Sequence, residues 1–210
     1  MKKIALAMML LAGVALSAPS VHAQVSDSEN FVVSATIPLA SAINIVAVEV
    51  DGQTGQFGNT VTALNFDPMV LDTGLGVFFP DHFFAIDIGT SGGAGTPSVT
   101  VTYTEGSNPN SPGNGLGWKS TLTFVQVTGL EPNQVETPLA AHGPKKLMKD
   151  LSGETVSSAE IAGGFLRMYA GIFTGDPNAT IPEPANGEVF SLGDNAGSYS
   201  GTLTISATVV

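Results

Sequence analysis

The residues that could carry chemistry in this chain are few, and their spacing decides how to read them. His82 stands beside Asp81 in Pro80-Asp81-His82-Phe83-Phe84, a pairing that could make a general base or a metal ligand. No H-x-H or H-x-x-x-H partner accompanies it, so the expectation is a turn histidine at a strand entrance. His142, in Ala141-His142-Gly143-Pro144, reads as a loop residue for the same reason. A nucleophile elbow of the form G-x-S-x-G is absent, and there is no cysteine, so thiol catalysis and Cys-ligated metals are excluded. The 18 acidic residues make chance carboxylate pairs, but none lies in a distinctive motif. Asp51-Gly52-Gln53-Thr54-Gly55 and Asp72-Thr73-Gly74 could offer oxygens to Ca²⁺. They lack the ligand pattern of an EF-hand loop and read as turns. Trp118 and Tyr103 could stack on a sugar, or could be core and hairpin residues. The expectation is therefore a protein that is not an enzyme and holds no cofactor or metal.

One charge cluster stands out. Lys145, Lys146 and Lys149 are three of only seven basic residues, against 18 acidic ones, and the formal net charge is −11. They form a candidate docking patch for an acidic surface of a neighbouring copy, or else a solvated loop. The acidic balance argues against nucleic acid, whose binding depends on basic groups displacing counterions. Asn178-Ala179-Thr180 matches a glycosylation sequon.

The elements that would position these residues are strands. The sequence from Gly197 to Val210 alternates strictly: Tyr199, Leu203, Ile205, Ala207 and Val209 on one side, Ser200, Thr202, Thr204, Ser206 and Thr208 on the other. That period of two predicts a strand with an apolar and a hydroxylic face. Phe31, Val33, Ala35 and Ile37 repeat the pattern near the other end, before Pro38. Ile43 to Val50, Val61 to Phe66, Phe83 to Ile88, Val99 to Tyr103, Trp118 to Val127 and Phe165 to Phe173 are further strand candidates. Within Ile43 to Val50 a shift of frame points to a bulge or to full burial. The segments around Val99–Tyr103 and Trp118–Val127 read as a long-looped hairpin. Residues 131–164 read as an irregular insert, in which Ser157-Ser158-Ala159-Glu160 fits the start of a short helix. The fold class expected is all-β: an Ig-like antiparallel sandwich with a small loop and short-helix elaboration.

Residues 1–23 carry a basic start, an apolar stretch from Ile4 to Leu16 and the small residues Val21 and Ala23 around His22. This is the pattern of a secretory signal peptide. The apolar stretch is shorter than the roughly 20 residues a spanning helix needs, so no membrane span is expected in the mature chain. The organisation expected is a signal peptide, an N-terminal extension or first strand over 24–42, and a single sandwich domain over 43–210.

With those residues in place, both ends of the chain resemble exported chaperone–usher pilin subunits, in particular the cysteine-free class of alpha fimbriae and common-pilus major subunits. Ala196 to Val210 is similar to their closing strand, with Gly197 fourteenth from the end, where such subunits typically carry a glycine. Val209 stands where many of them have an aromatic residue. Phe31 to Leu39 is similar in pattern to their N-terminal extension. The resemblance covers about 30 residues and implies an incomplete Ig-like sandwich completed by a strand from a neighbouring copy. It further implies a periplasmic chaperone as a transient partner, and a route through the periplasm to the bacterial cell surface. Phe31, Val33, Ala35 and Ile37 then form the donor strand; alternatively they are the chain's own first strand. The function expected is a secreted structural subunit of a surface filament or coat. The alternative is a monomeric exported sandwich that binds carbohydrate or another ligand.

Overall fold

The computed structural model describes residues 42–91, 97–111, 113–127, 144–156, 165–177 and 179–209. Twelve strands run through them. The largest sheet is built from β1 (Ala42–Asp51), β2 (Phe57–Val61), β5 (His82–Ser91), β7 (Ser120–Val127), β8 (Lys145–Leu147) and β10 (Phe165–Ile172), in the order β2-β1-β5-β10-β7-β8. A three-stranded sheet contains β6 (Pro97–Glu105), β9 (Ser152–Val156) and β12 (Gly201–Val209), in the order β12-β6-β9. A small third sheet joins β3 (Val70–Asp72), β4 (Val77–Phe79) and β11 (Phe190–Ser191). Every pairing is antiparallel. The all-β, sandwich-like class expected from the alternation is the class observed.

The core lies between the six-stranded sheet and the β12-β6-β9 sheet. Phe84, Ile86 and Ile88 of β5, Leu166 and Met168 of β10, and Leu122 and Phe124 of β7 meet Val99 and Val101 of β6. Leu203, Ile205 and Ala207 of β12 pack on the same cluster but stay half-buried. Alternate residues of the central strands build a second cluster on the opposite face, from Val50, Phe83, Ala85, Val125, Phe165 and Tyr169. Burial on both faces explains why β5 and β10 read as continuous apolar runs.

A cross-strand ion pair interrupts that second face. Arg167 of β10 stands opposite Asp87 of β5 in register, and both are 1 % exposed or less. Its Nε donates to Asp87 Oδ1 (2.7 Å) and its Nη2 to Oδ2 (2.8 Å). The guanidinium carbon lies 4.7 Å from the Phe57 ring centroid, 5.2 Å from Phe165 and 5.9 Å from Tyr169.

Three expectations are corrected. First, β6 and β7 are not a hairpin: β6 pairs with β12 and β9, whereas β7 belongs to the other sheet. The crossing is made by the short helix α1 (Leu116–Lys119), whose first N–H groups are taken by the Glu105 carboxylate: Leu116 N donates to Oε1 and Gly117 N to Oε2, both at 2.9 Å. Trp118 therefore lies in that helix, and the strand starts at Ser120. Second, β2 ends at Val61, and residues 62–69 form a strap whose Leu64 and Phe66 still reach the core. Third, the insert is not irregular throughout, since β8 and β9 lie within it; Ser157 to Glu160 fall outside the described residues. The irregularity read from the frame of β1 is present: its register against β2 shifts between Val48 and Val50, while its pairing with β5 is unbroken.

Candidate functional site

Sheet edges are reactive because their N–H and C=O groups lack partners, and folds blunt them with short strands, charges or bulges. Among the described residues, three of the four edges of the two large sheets are blunted. β8 is three residues long and carries Lys145 and Lys146. β2 has five residues and a register shift against β1. β9 has a register shift against β6 and a left-handed glycine, Gly153, at φ 80°. β12 differs. Nine residues, Gly201 to Val209, pair with β6 without a shift, and the strand contains no charged residue and no proline. Among the described residues, β6 is the only strand paired with it.

Beside that edge runs a groove of about 630 Å³. Ile45 and Ala47 of β1 form one wall, Leu64 and Phe66 of the strap extend it, and Leu203 and Ile205 of β12 form the other. Ile86 and Met148 line its floor. Ile45 is 42 % exposed although its neighbours in the same face of β1 pack on the core. Ile45 is thus an apolar side chain left open beside the unblunted edge of β12.

The start of β12 is fixed by close packing. Tyr103, directly opposite Leu203 in register, lays its ring over Gly201. A Cβ at 201 would collide with the Tyr103 hydroxyl and the adjoining end of its ring. Gly201→Val is therefore expected to cost about 1–3 kcal/mol by overpacking, read as a lower urea midpoint, and Tyr103→Ala in the same chain should recover most of it. Upstream, Gly197 has a φ of 150°, and a Cβ there would approach Pro109 Cγ to 2.7 Å. The expected closing strand is thus shortened. Gly197 and Tyr199 precede it, Tyr199 setting its ring edge-on to Phe190 (4.9 Å) and donating from its hydroxyl to Asn195 O (2.9 Å). Ser200 also precedes the strand: its N–H donates to Ser107 O and its side-chain oxygen accepts the Ser107 N–H, both at 3.0 Å. Val209 is the last residue of β12.

The loop that delivers the chain to β12 is tied down by a buried lysine. Lys119 Nζ donates to Val189 O (2.9 Å) and pairs with Asp194 Oδ1 (2.9 Å). Burial pushes the Asp194 carboxyl up, but the Lys119 ammonium, the Ser191 N–H and Asn110 outweigh it and hold it below its ordinary range.

The other residues singled out in the sequence have plain structural places. Lys145 and Lys146 lie on β8, while Lys149 pairs with Asp150 (2.6 Å) and sits 4.1 Å from the Trp118 ring centroid, so the three do not present one face. Asp51 Oδ1 accepts from Gln53 N, Thr54 N and Thr54 Oγ1, and Asp72 Oδ1 from Gly74 N and Leu75 N; both are turns. Among the described residues no cluster of three or more His, Cys, Asp or Glu side chains could hold a metal ion, and no helix is long and apolar enough to cross a membrane. Phe31, Val33, Ala35, Ile37 and His142 lie outside the described residues. Sequence reasoning missed Ile45, Leu64 and Phe66 as groove residues, and Arg167 with Asp87 as a pair. The second had a visible signal: each is a lone charge inside an apolar strand, A-I-D-I and L-R-M-Y.

No protein-family model matches the chain, and no curated protein matches its sequence.

Proposed function

We propose that this protein is a secreted structural subunit of a bacterial surface filament or coat, and that copies assemble by donating a strand into the groove beside β12. The observation that carries this reading is the pairing of an open apolar groove with a nine-residue edge that no charge, proline or bulge protects. Phe31, Val33, Ala35 and Ile37 have the matching chemistry: a period-two apolar face to enter the groove and a backbone to pair with β12. Burying the large members of that set supplies roughly 1.5–3 kcal/mol each, in addition to the main-chain hydrogen bonds. The sandwich is then an incomplete Ig-like one, and a periplasmic chaperone would occupy the groove until a neighbouring copy does. Lys145 and Lys146, on the short β8 edge, serve to keep that second edge from competing. A carbohydrate-binding role is less well supported, because the Trp118 face on which a sugar would stack already carries the Lys149 ammonium.

The test is truncation. Mature chain beginning at Ile43 should fold and stay monomeric by size-exclusion chromatography, while chain beginning at Gln24 polymerises, as seen by electron microscopy. Filaments from the truncated chain would falsify strand donation by residues 31–37.

A further inference from the structure

The groove has a wall that is not part of any sheet, and one histidine holds it. The strap over residues 62–69 supplies Leu64 and Phe66 to the groove. Phe66 sets its ring against Phe84 at 5.2 Å, edge to face. The polar tie between strap and sheet comes from His82, at the start of β5, whose side chain is 9 % exposed. Its Nε2 lies 2.8 Å from the Asn65 carbonyl oxygen, and its Nδ1 lies 3.0 Å from Asp81 Oδ1. The ring also rests edge-on against Phe84 at 5.4 Å.

Both ring nitrogens thus face acceptors. A carbonyl oxygen cannot donate, and an ionised carboxylate cannot donate either. Neutral imidazole has one N–H and can satisfy one of the two; the imidazolium satisfies both. On loss of a proton the remaining N–H stays with the carboxylate, since the charge-assisted hydrogen bond is the stronger. Nε2 then turns a lone pair toward the Asn65 oxygen, and the strap loses its tie.

We propose that His82 is a proton-operated latch on the groove wall: protonated, it holds the strap against β5, and deprotonated, it releases Asn65 and with it Leu64 and Phe66. Its consequence for assembly rests on the strand-donation reading, because the same two side chains would grip the incoming strand.

The surrounding charges act in one direction. Asp81 comes from the turn beside the ring. Glu49 and Asp51 come from β1, with Asp51 directly opposite His82 in register, and Asp67 follows in the strap. Burial opposes the charge on His82, but the Asp81 carboxylate, the Asn65 carbonyl and the field of Glu49 outweigh it and hold the ring above its ordinary pKa. A raised pKa in the folded state fixes the sign. The stabilisation is complete below the ordinary histidine value of about 6.5, and it is lost as pH rises through the raised value.

The latch can be read without any assembly. Amide hydrogen exchange of residues 62–69 is followed in the full chain from mildly acidic to mildly alkaline pH, corrected for intrinsic exchange. Protection should fall several-fold as pH rises, with a midpoint above the ordinary histidine value, matching the His82 titration seen by NMR. His82→Gln, whose amide donates to Asn65 but does not titrate, should give a flat profile, and Asp81→Asn should move the midpoint down. Protection that ignores pH in the wild type, or the same pH dependence in H82Q, overturns the latch. Filament growth at low and high pH separates the two ideas. A strap that titrates in a chain that assembles at no pH upholds the latch and removes strand donation. Assembly with an unresponsive strap does the reverse.

Discussion

Arg167→Met should lower the folding free energy by about 3–5 kcal/mol, the range for breaking a buried ion pair by removing one partner. The loss arises less from the missing attraction than from what is left behind. Asp87 would be left in a face built from Phe83, Ala85, Val125 and Tyr169, without the bidentate donors that its two oxygens accept from at 2.7 and 2.8 Å. The aromatic rings of Phe57, Phe165 and Tyr169 pack around the guanidinium, and a flexible Met side chain can refill that volume. Packing is thus nearly conserved and the charge is the variable. Arg167→Met combined with Asp87→Leu should therefore recover most or all of the stability, because hydrophobic replacement of a whole buried pair is often neutral or better. Urea titration of the three variants and the wild type checks this as a double-mutant cycle. If the double variant is no more stable than R167M, the pair acts through something other than its charge, such as the in-register alignment of β5 with β10.

How much of this could be read from the chain depends on which faces water touches. β6 and β12 were legible because their sheet has one wet face: Val99 and Val101 point in, while Thr202, Thr204, Ser206 and Thr208 point out and are exposed. In β5 and β10 that contrast vanishes, since residues 83–88 and 165–172 are buried throughout. They read as strands all the same, and the period of two still groups Phe84, Ile86 and Ile88 on one face and Leu166, Met168 and Ala170 on another, as the core cluster has them. The strap misled for the opposite reason. Leu64 and Phe66 share the period of two and still reach the core, so a strand pattern arose from an irregular segment anchored at alternate residues. Chain order likewise favoured a β6–β7 hairpin, whereas Glu105 caps α1 and sends the chain to the other sheet. The groove itself was illegible. Its walls come from residues near 45, 65 and 204, and an opening between sheets leaves no periodicity in any one of them.

Ile45→Asp should reduce assembly by about a hundredfold or more while costing the monomer only about 1 kcal/mol, the span of strand preference. Ile45 is already 42 % exposed in the free subunit, so a carboxylate there keeps most of its water. Accepting a strand changes that. The incoming apolar face must close over Ile45 against Leu203 and Ile205, and the short Asp side chain cannot reach back to solvent as a lysine would. An unpaired buried charge costs several kcal/mol, and each 1.4 kcal/mol is about tenfold in affinity. Thr204→Asp is the control. It places the same charge on the outer, exposed face of β12, where strand addition leaves it wet, so assembly should stay close to wild type. Ile45→Thr, uncharged and β-branched, should lie between the two. Sedimentation velocity and electron microscopy of the mature chains give the comparison. Equal loss in both Asp variants would show that acidity in general, and not desolvation in the groove, opposes polymerisation; unaltered filaments in I45D would mean that the groove is not where copies meet.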